Sequence, residues 1–167
     1  TLFRSGKTTV IKGILKTYAK VRKFNLYSDK EIISLAAPTG KAARRMKEST
    51  DLPATTIHAL LGLFSSDEDE LDDPLDESLE ADLLVIDEFS MVDTWLAKKL
   101  FESVDSRTQV ILVGDQDQLA SVGPGQVLGD LLQLNEIPKI KLQTVFRQGS
   151  ESTIVKLANY IKDGKLP

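Results

Sequence analysis

The sequence has no cysteine among its 167 residues, which excludes disulfides and thiolate metal sites. No run is apolar for long enough to cross a bilayer, although 41% of the residues are hydrophobic, and no charged-then-apolar leader opens the chain. One globular domain over residues 1–167 with a single core, in the cytoplasm, is the expectation. A strong excess of positive charge is also missing: the formal net charge is -4. That average conceals a segment, residues 67–80, with nine acids and no base; the remaining 16 acids face 21 bases, a balance of about +5. This body permits nucleic-acid binding without arguing for it. The acidic stretch over 65–82, with Pro74 inside it and like charges repelling, reads as a mobile surface loop.

What is present alternates apolar runs with helical spacing, the pattern of an α/β protein with helices on both faces of a mostly parallel sheet. Strands are expected over 32–37, 83–87, 109–114 and 140–145, each rich in Ile, Val or Leu, as strands buried on both faces are. Ile11, Ile14, Leu15 and Tyr18 repeat at i, i+3, i+4 and i+7, predicting a helix after Gly6 that buries this stripe. Further helices are expected over 41–47, 94–104, 127–132 and 153–162.

Four places carry chemistry. Gly6-Lys7-Thr8-Thr9 opens a helix like the second half of a phosphate-binding loop. There, main-chain N–H groups face phosphates, the lysine reaches the β and γ oxygens and the adjacent hydroxyl holds magnesium. The full pattern asks for glycine five residues before Gly6, where Thr1 stands, and Leu2, Phe3 and Arg4 replace small residues. No strand precedes the loop, so the fold is expected to lack its native first strand. Next, Leu83-Leu84-Val85-Ile86 delivers Asp87 and Glu88 at a strand end, where ligands bind in open α/β sheets. Asp87 would hold the metal through water and Glu88 would polarise the attacking water. Third, the strand ending at Gly114 leads to Gln118, whose amide suits a γ-phosphate sensor. Fourth, Arg147 in Phe146-Arg147-Gln148 has the planar fork that suits phosphate. Each has a plainer reading in isolation: a helix start, two capping acids, a polar turn, a surface salt bridge.

Taken in order, Gly6-Lys7-Thr8-Thr9, Ala37-Pro38-Thr39-Gly40-Lys41-Ala42-Ala43, Thr55-Thr56-Ile57-His58, Asp87-Glu88-Phe89-Ser90-Met91-Val92-Asp93, Gly114-Asp115-Gln116-Asp117-Gln118-Leu119, Ser121-Val122-Gly123-Pro124-Gly125 and Val145-Phe146-Arg147-Gln148 resemble motifs I to IV of superfamily 1 helicases. The RecD/TraA branch, that of the exodeoxyribonuclease V alpha subunit, is the nearest in pattern. The resemblance implies a RecA-like P-loop domain that uses ATP and Mg2+, with Gly6, Lys7, Thr8 and Thr9 around the nucleotide and Thr8 and Asp87 at the metal. Lys7, Asp87, Glu88, Gln118 and Arg147 would be catalytic. It further implies that Pro38, Thr39, Gly40, Thr56 and His58 grip single-stranded DNA through phosphates and sugar, with movement 5′ to 3′. The implied partners are that DNA, a second RecA-like domain of the same parent and, where the parent works in a nuclease complex, its other subunits; no membrane is implied. Without the second domain, the chain is expected neither to unwind DNA nor to turn over ATP usefully. A non-catalytic DNA- or partner-binding module stays open as the alternative; a P-loop phosphotransferase lacks an acceptor-binding feature.

Overall fold

A computed structural model describes residues 6–28, 32–63, 79, 81–118 and 121–142. The first helix, α1 (Lys7–Arg22), starts directly after Gly6 and ends where Lys23 enters the left-handed region at φ 59°. Strand β1 (Ile33–Ala37) leads through Thr39 into α2 (Gly40–Thr50), and the two-residue strand β2 (Thr55–Thr56) leads into the short helix α3 (Ile57–Leu60). Strand β3 (Leu83–Ile86) is followed by a 3₁₀ turn over Phe89–Met91 and by α4 (Thr94–Ser103); β4 (Gln109–Leu112) and α5 (Val127–Gln133) complete the described elements.

The sheet runs β2-β1-β3-β4, and every pairing is parallel. Each strand end therefore points the same way, so all the strand-to-helix turns collect along one edge. All four residues of β3 are buried, and their alternation builds two cores. Leu83 and Val85 join Ile11, Leu15 and Ala19 of α1 and Met46 of α2. Leu84 and Ile86 join Ile57 of α3, Phe89, and Leu96, Ala97 and Leu100 of α4. The helices thus cover both faces, as a continuous apolar strand requires.

Most expected elements are found within a few residues of their anticipated ends. The α1 stripe is rotated slightly: Ile11 and Leu15 are joined in the core by Ala19, while Ile14 and Tyr18 are only half-buried. β2, α3 and the 3₁₀ turn have no counterpart among the expected elements. The strand expected over 140–145 is absent at 140–142, where Ile140 is 93% exposed. No described strand pairs with it there, and a segment without a ladder partner does not hold strand geometry. Residues 143–145 and the helix expected over 153–162 lie outside the described residues, as does most of the acidic stretch over 65–82. Of that stretch, Leu79 is pinned to the end of α4 by its N–H on the Ser103 carbonyl at 2.9 Å, and Asp82 N–H donates to the Ile32 carbonyl at 2.9 Å.

Candidate nucleotide and DNA site

The turn after β3 is held from both sides. Asp87 N–H donates to the Ala36 carbonyl of β1 (3.0 Å), Val113 N–H donates to the Ile86 carbonyl (2.8 Å), and Phe89 N–H donates back to the Val113 carbonyl (2.9 Å). Between these anchors Glu88 adopts φ 53°, ψ 34°, a left-handed conformation that a glutamate takes only when its surroundings impose it. Close packing continues the clamp. A Cβ on Gly114 would stand 3.1 Å from Ser90 N, and one on Gly123 or Gly125 would overlap Asp93 or Thr94. Gly125 is at φ 101°, and Thr94 N–H donates to the Pro124 carbonyl at 3.0 Å. Asp93 caps α4 by accepting from Leu96 N–H at 2.8 Å. The Ser121-Val122-Gly123-Pro124-Gly125 segment, a tight turn by sequence, is thereby also the seat of the helix that comes after the two acids.

Lys7 stands on the first turn of α1 with its side chain only 17% exposed, and its ammonium lies 3.6 Å from the Asp115 carboxylate beyond β4. Burial pushes the Asp87 carboxyl above the usual aspartate range; the Glu88 N–H that donates to its Oδ1 at 2.8 Å and the positive charge of Lys7 pull it back down. Lys7 is thus paired with Asp115 and near enough to the largely buried Asp87 for its charge to act on that carboxyl, with Glu88 next in the chain. Thr8 is half-buried and Gly6 and Thr9 are exposed; a Cβ on Gly6 would meet nothing within 4 Å. Gln118 is exposed, its N–H donating to the Asp115 carbonyl at 3.1 Å. Arg147 lies outside the described residues. Sequence reasoning misses Asp115 as a partner of Lys7; only the adjacency of β4 to the α1 start reveals it.

Along the same edge, Ala37 of β1 pairs with Thr56 of β2, which sets Pro38, Thr39 and Gly40 beside Thr56 and His58. Thr39 Oγ1 accepts from Ala42 N–H at 3.2 Å and Thr56 Oγ1 from Ala59 N–H at 3.1 Å. Both hydroxyls thus serve as helix caps, the structural role these residue types favour, and each keeps its own hydrogen to donate. His58 is exposed. Among the described residues no group of three or more His, Cys, Asp or Glu side chains could hold a metal. No helix among them is long and apolar enough to cross a membrane.

The chain is 36% identical to the RecBCD enzyme subunit RecD of Mycolicibacterium smegmatis over 177 residues, covering 96% of the chain and 31% of that protein. It is 40% identical to the ATP-dependent RecD2 DNA helicase of Deinococcus radiodurans over 137 residues, covering 81% of the chain and 18% of the helicase. The chain thus spans about a third or less of the length of these relatives. Among solved structures, Bacteroides Pif1 bound to ssDNA shares the fold with a TM-score of 0.61 at 24% identity, over 97% of this chain and 41% of that one. The family described as AAA domain matches residues 5–167, and the chain belongs to that family.

Proposed function

We propose that this chain is the first RecA-like motor domain of an ATP-dependent 5′ to 3′ DNA helicase, which couples ATP hydrolysis to movement along single-stranded DNA. The observation that carries the reading is the approach of Lys7, from the start of α1, to the desolvated carboxyl of Asp87, at the end of β3. A pocket that already restrains the ionisation of a carboxylate and holds a lysine against a single acid is suited to a polyanion with a divalent cation. In this reading the Lys7 ammonium exchanges Asp115 for the β and γ phosphate oxygens. Main-chain N–H groups of Gly6, Lys7, Thr8 and Thr9 at the helix start supply further donors.

Thr8 and Asp87 are the residues that would hold Mg2+, which supplies charge neutralisation when bound. Glu88 takes the proton of the attacking water, and Gln118 and Arg147 respond to the γ-phosphate. Because Phe89 to Thr94 is wedged against Gly114, Gly123 and Gly125, a shift of the loop bearing Gln118 reaches the segment after Glu88 directly. Pro38, Thr39, Gly40, Thr56 and His58 form the grip on single-stranded DNA, a contact with backbone rather than base sequence. The work of the whole parent, a cytoplasmic DNA-processing protein alone or in a nuclease complex, needs the second RecA-like domain. In this reading the site around Lys7 and Asp87 binds Mg-nucleotide.

Calorimetric titration with Mg-ATP and Mg-ADP tests the reading. Saturable binding that Lys7→Ala weakens by at least about tenfold supports it, since one lost charge-assisted contact is worth on the order of 1.5–3 kcal/mol. Absence of binding at millimolar nucleotide, with DNA binding retained, favours the non-catalytic module instead.

A further inference from the structure

The two faces of the sheet are charged very differently. Residues 6–28 hold six bases and no acid, and residues 40–51 hold four bases against two acids. These two segments, which hold α1 and α2, together carry ten bases and two acids inside a chain whose overall charge is -4. Both acids already have partners: Asp51 with Lys12 at 3.2 Å and Glu48 with Arg44 at 3.1 Å. On the opposite face, residues 93–105 and 127–133 hold two bases and four acids.

Along α1 the bases are placed in register. Lys12, Lys16 and Lys20 recur at intervals of four residues, which is one stripe of a helix, and Lys23 follows just past the helix end as its left-handed cap. Lys16, Lys20 and Lys23 are exposed, and no carboxylate lies within salt-bridge distance of them among the described residues. Helix-dipole stabilisation accounts for Lys20 and Lys23 near the C-terminus but not for Lys16, which lies before the last turn. Aromatic side chains are scarce on the same surface: the Tyr18 ring is only half-exposed and lies beneath the Arg22 guanidinium at 5.6 Å, which leaves Tyr27, beyond the helix, as the exposed aromatic residue of the layer.

We propose that this face, with Lys16, Lys20 and Lys23 as its ridge, docks the phosphate backbone of duplex DNA. It is separate from the Thr39 and Thr56 edge assigned to the single strand. The inference rests on the reading that the protein works on DNA. Phosphate without stacking is what a duplex offers, because its bases are already stacked inside, whereas single-strand sites combine charge with aromatic platforms. A ridge of lysines with Tyr27 as its one well-exposed aromatic neighbour among the described residues therefore favours the duplex. A domain that holds one strand at its sheet edge and the paired region on its flank would sit at a junction between the two.

Fluorescence anisotropy of this chain with a 20-base-pair blunt duplex and with a 20-nucleotide single strand, across a salt series, tests it. The Lys16→Gln, Lys20→Gln, Lys23→Gln variant, and the corresponding Glu variant, should lose at least about tenfold in duplex affinity. The slope of log K against log salt should fall by about 2–3, from the loss of three phosphate contacts. Single-strand affinity should stay within about twofold, and thermal melting of the Gln variant checks that the fold is intact. In Thr56→Ala, His58→Ala the pattern should reverse. Single-strand binding with no duplex binding, or duplex binding indifferent to the three lysines, overturns the duplex face and leaves the helicase reading standing. Binding to phosphatidylserine vesicles in place of either DNA overturns both.

Discussion

Strands β3 and β4 lie side by side, are each four residues long and share the same apolar character, yet the structure treats them differently. Every residue of β3 is buried, whereas in β4 Gln109 is exposed and Val110, Ile111 and Leu112 are half-buried. β3 has a strand on each side; β4 has one neighbour among the described residues. Val110 and Leu112 pack on the α4 core while Ile111 packs on the α1 core, so β4 is apolar on both faces, as interior strands are. Position in the ladder, more than composition, decides how much a strand contributes and how firmly it holds the turn at its end. The turn after β3 carries the two acids; the turn after β4 carries Asp115 and then the glycine segment that seats α4.

Substitutions can break or sharpen this contrast. The largest effect is expected in β3: Ile86→Ala should cost roughly 3–4 kcal/mol in urea unfolding, and Leu112→Ala in β4 about 1–2. Equal losses would remove the distinction. Gly125→Ala should cost on the order of 1–3 kcal/mol, because its φ of 101° suits glycine and its Cβ would overlap Thr94. A neutral result would mean that the β4 turn does not brace the β3 turn.

The next effect depends on pH. The folded-state carboxyl of Asp87 titrates above its unfolded value, so its contribution is fully present below the ordinary aspartate range and is lost as pH rises through the raised folded value. Stability curves for the native chain and Asp87→Asn should converge in acid and separate towards neutrality, with the variant the more stable. Parallel curves would refute the desolvated pocket. The smallest effect concerns Ser90, whose Oγ is buried without a hydrogen-bond partner among the described residues. Ser90→Ala should be within about 0.5 kcal/mol of neutral or slightly stabilising, since no bond is lost.

Much of this architecture can be read from the chain because its strands are continuous apolar runs and its long helices carry regular stripes. β1, β3, β4, α1, α2 and α4 announce themselves in that way. β2 does not: two threonines become a strand only because Ala36 and Ala37 of β1 offer a ladder beside them. Four-residue α3 is too short to show a period. The 140–145 run shows the converse, since an apolar pattern alone does not make a strand at 140–142, where no described strand pairs with it. At the site, the Gly6-Lys7-Thr8 and Asp87-Glu88 signatures are legible because their chemistry is local. The Lys7 to Asp115 contact, the left-handed Glu88 and the glycine seat under α4 arise where separate turns meet along the sheet edge, and no local spacing encodes them.

For the proposed site to exist, Lys7 and Asp87 must face the same small volume. Carbon-detected NMR titration of the Asp87 side-chain carboxyl, in the native chain and in Lys7→Ala, measures that directly. The expected result is a midpoint above the ordinary aspartate range that rises further when the ammonium is removed, because Lys7 stabilises the charged form. An ordinary midpoint, or one unchanged by Lys7→Ala, would contradict the shared pocket.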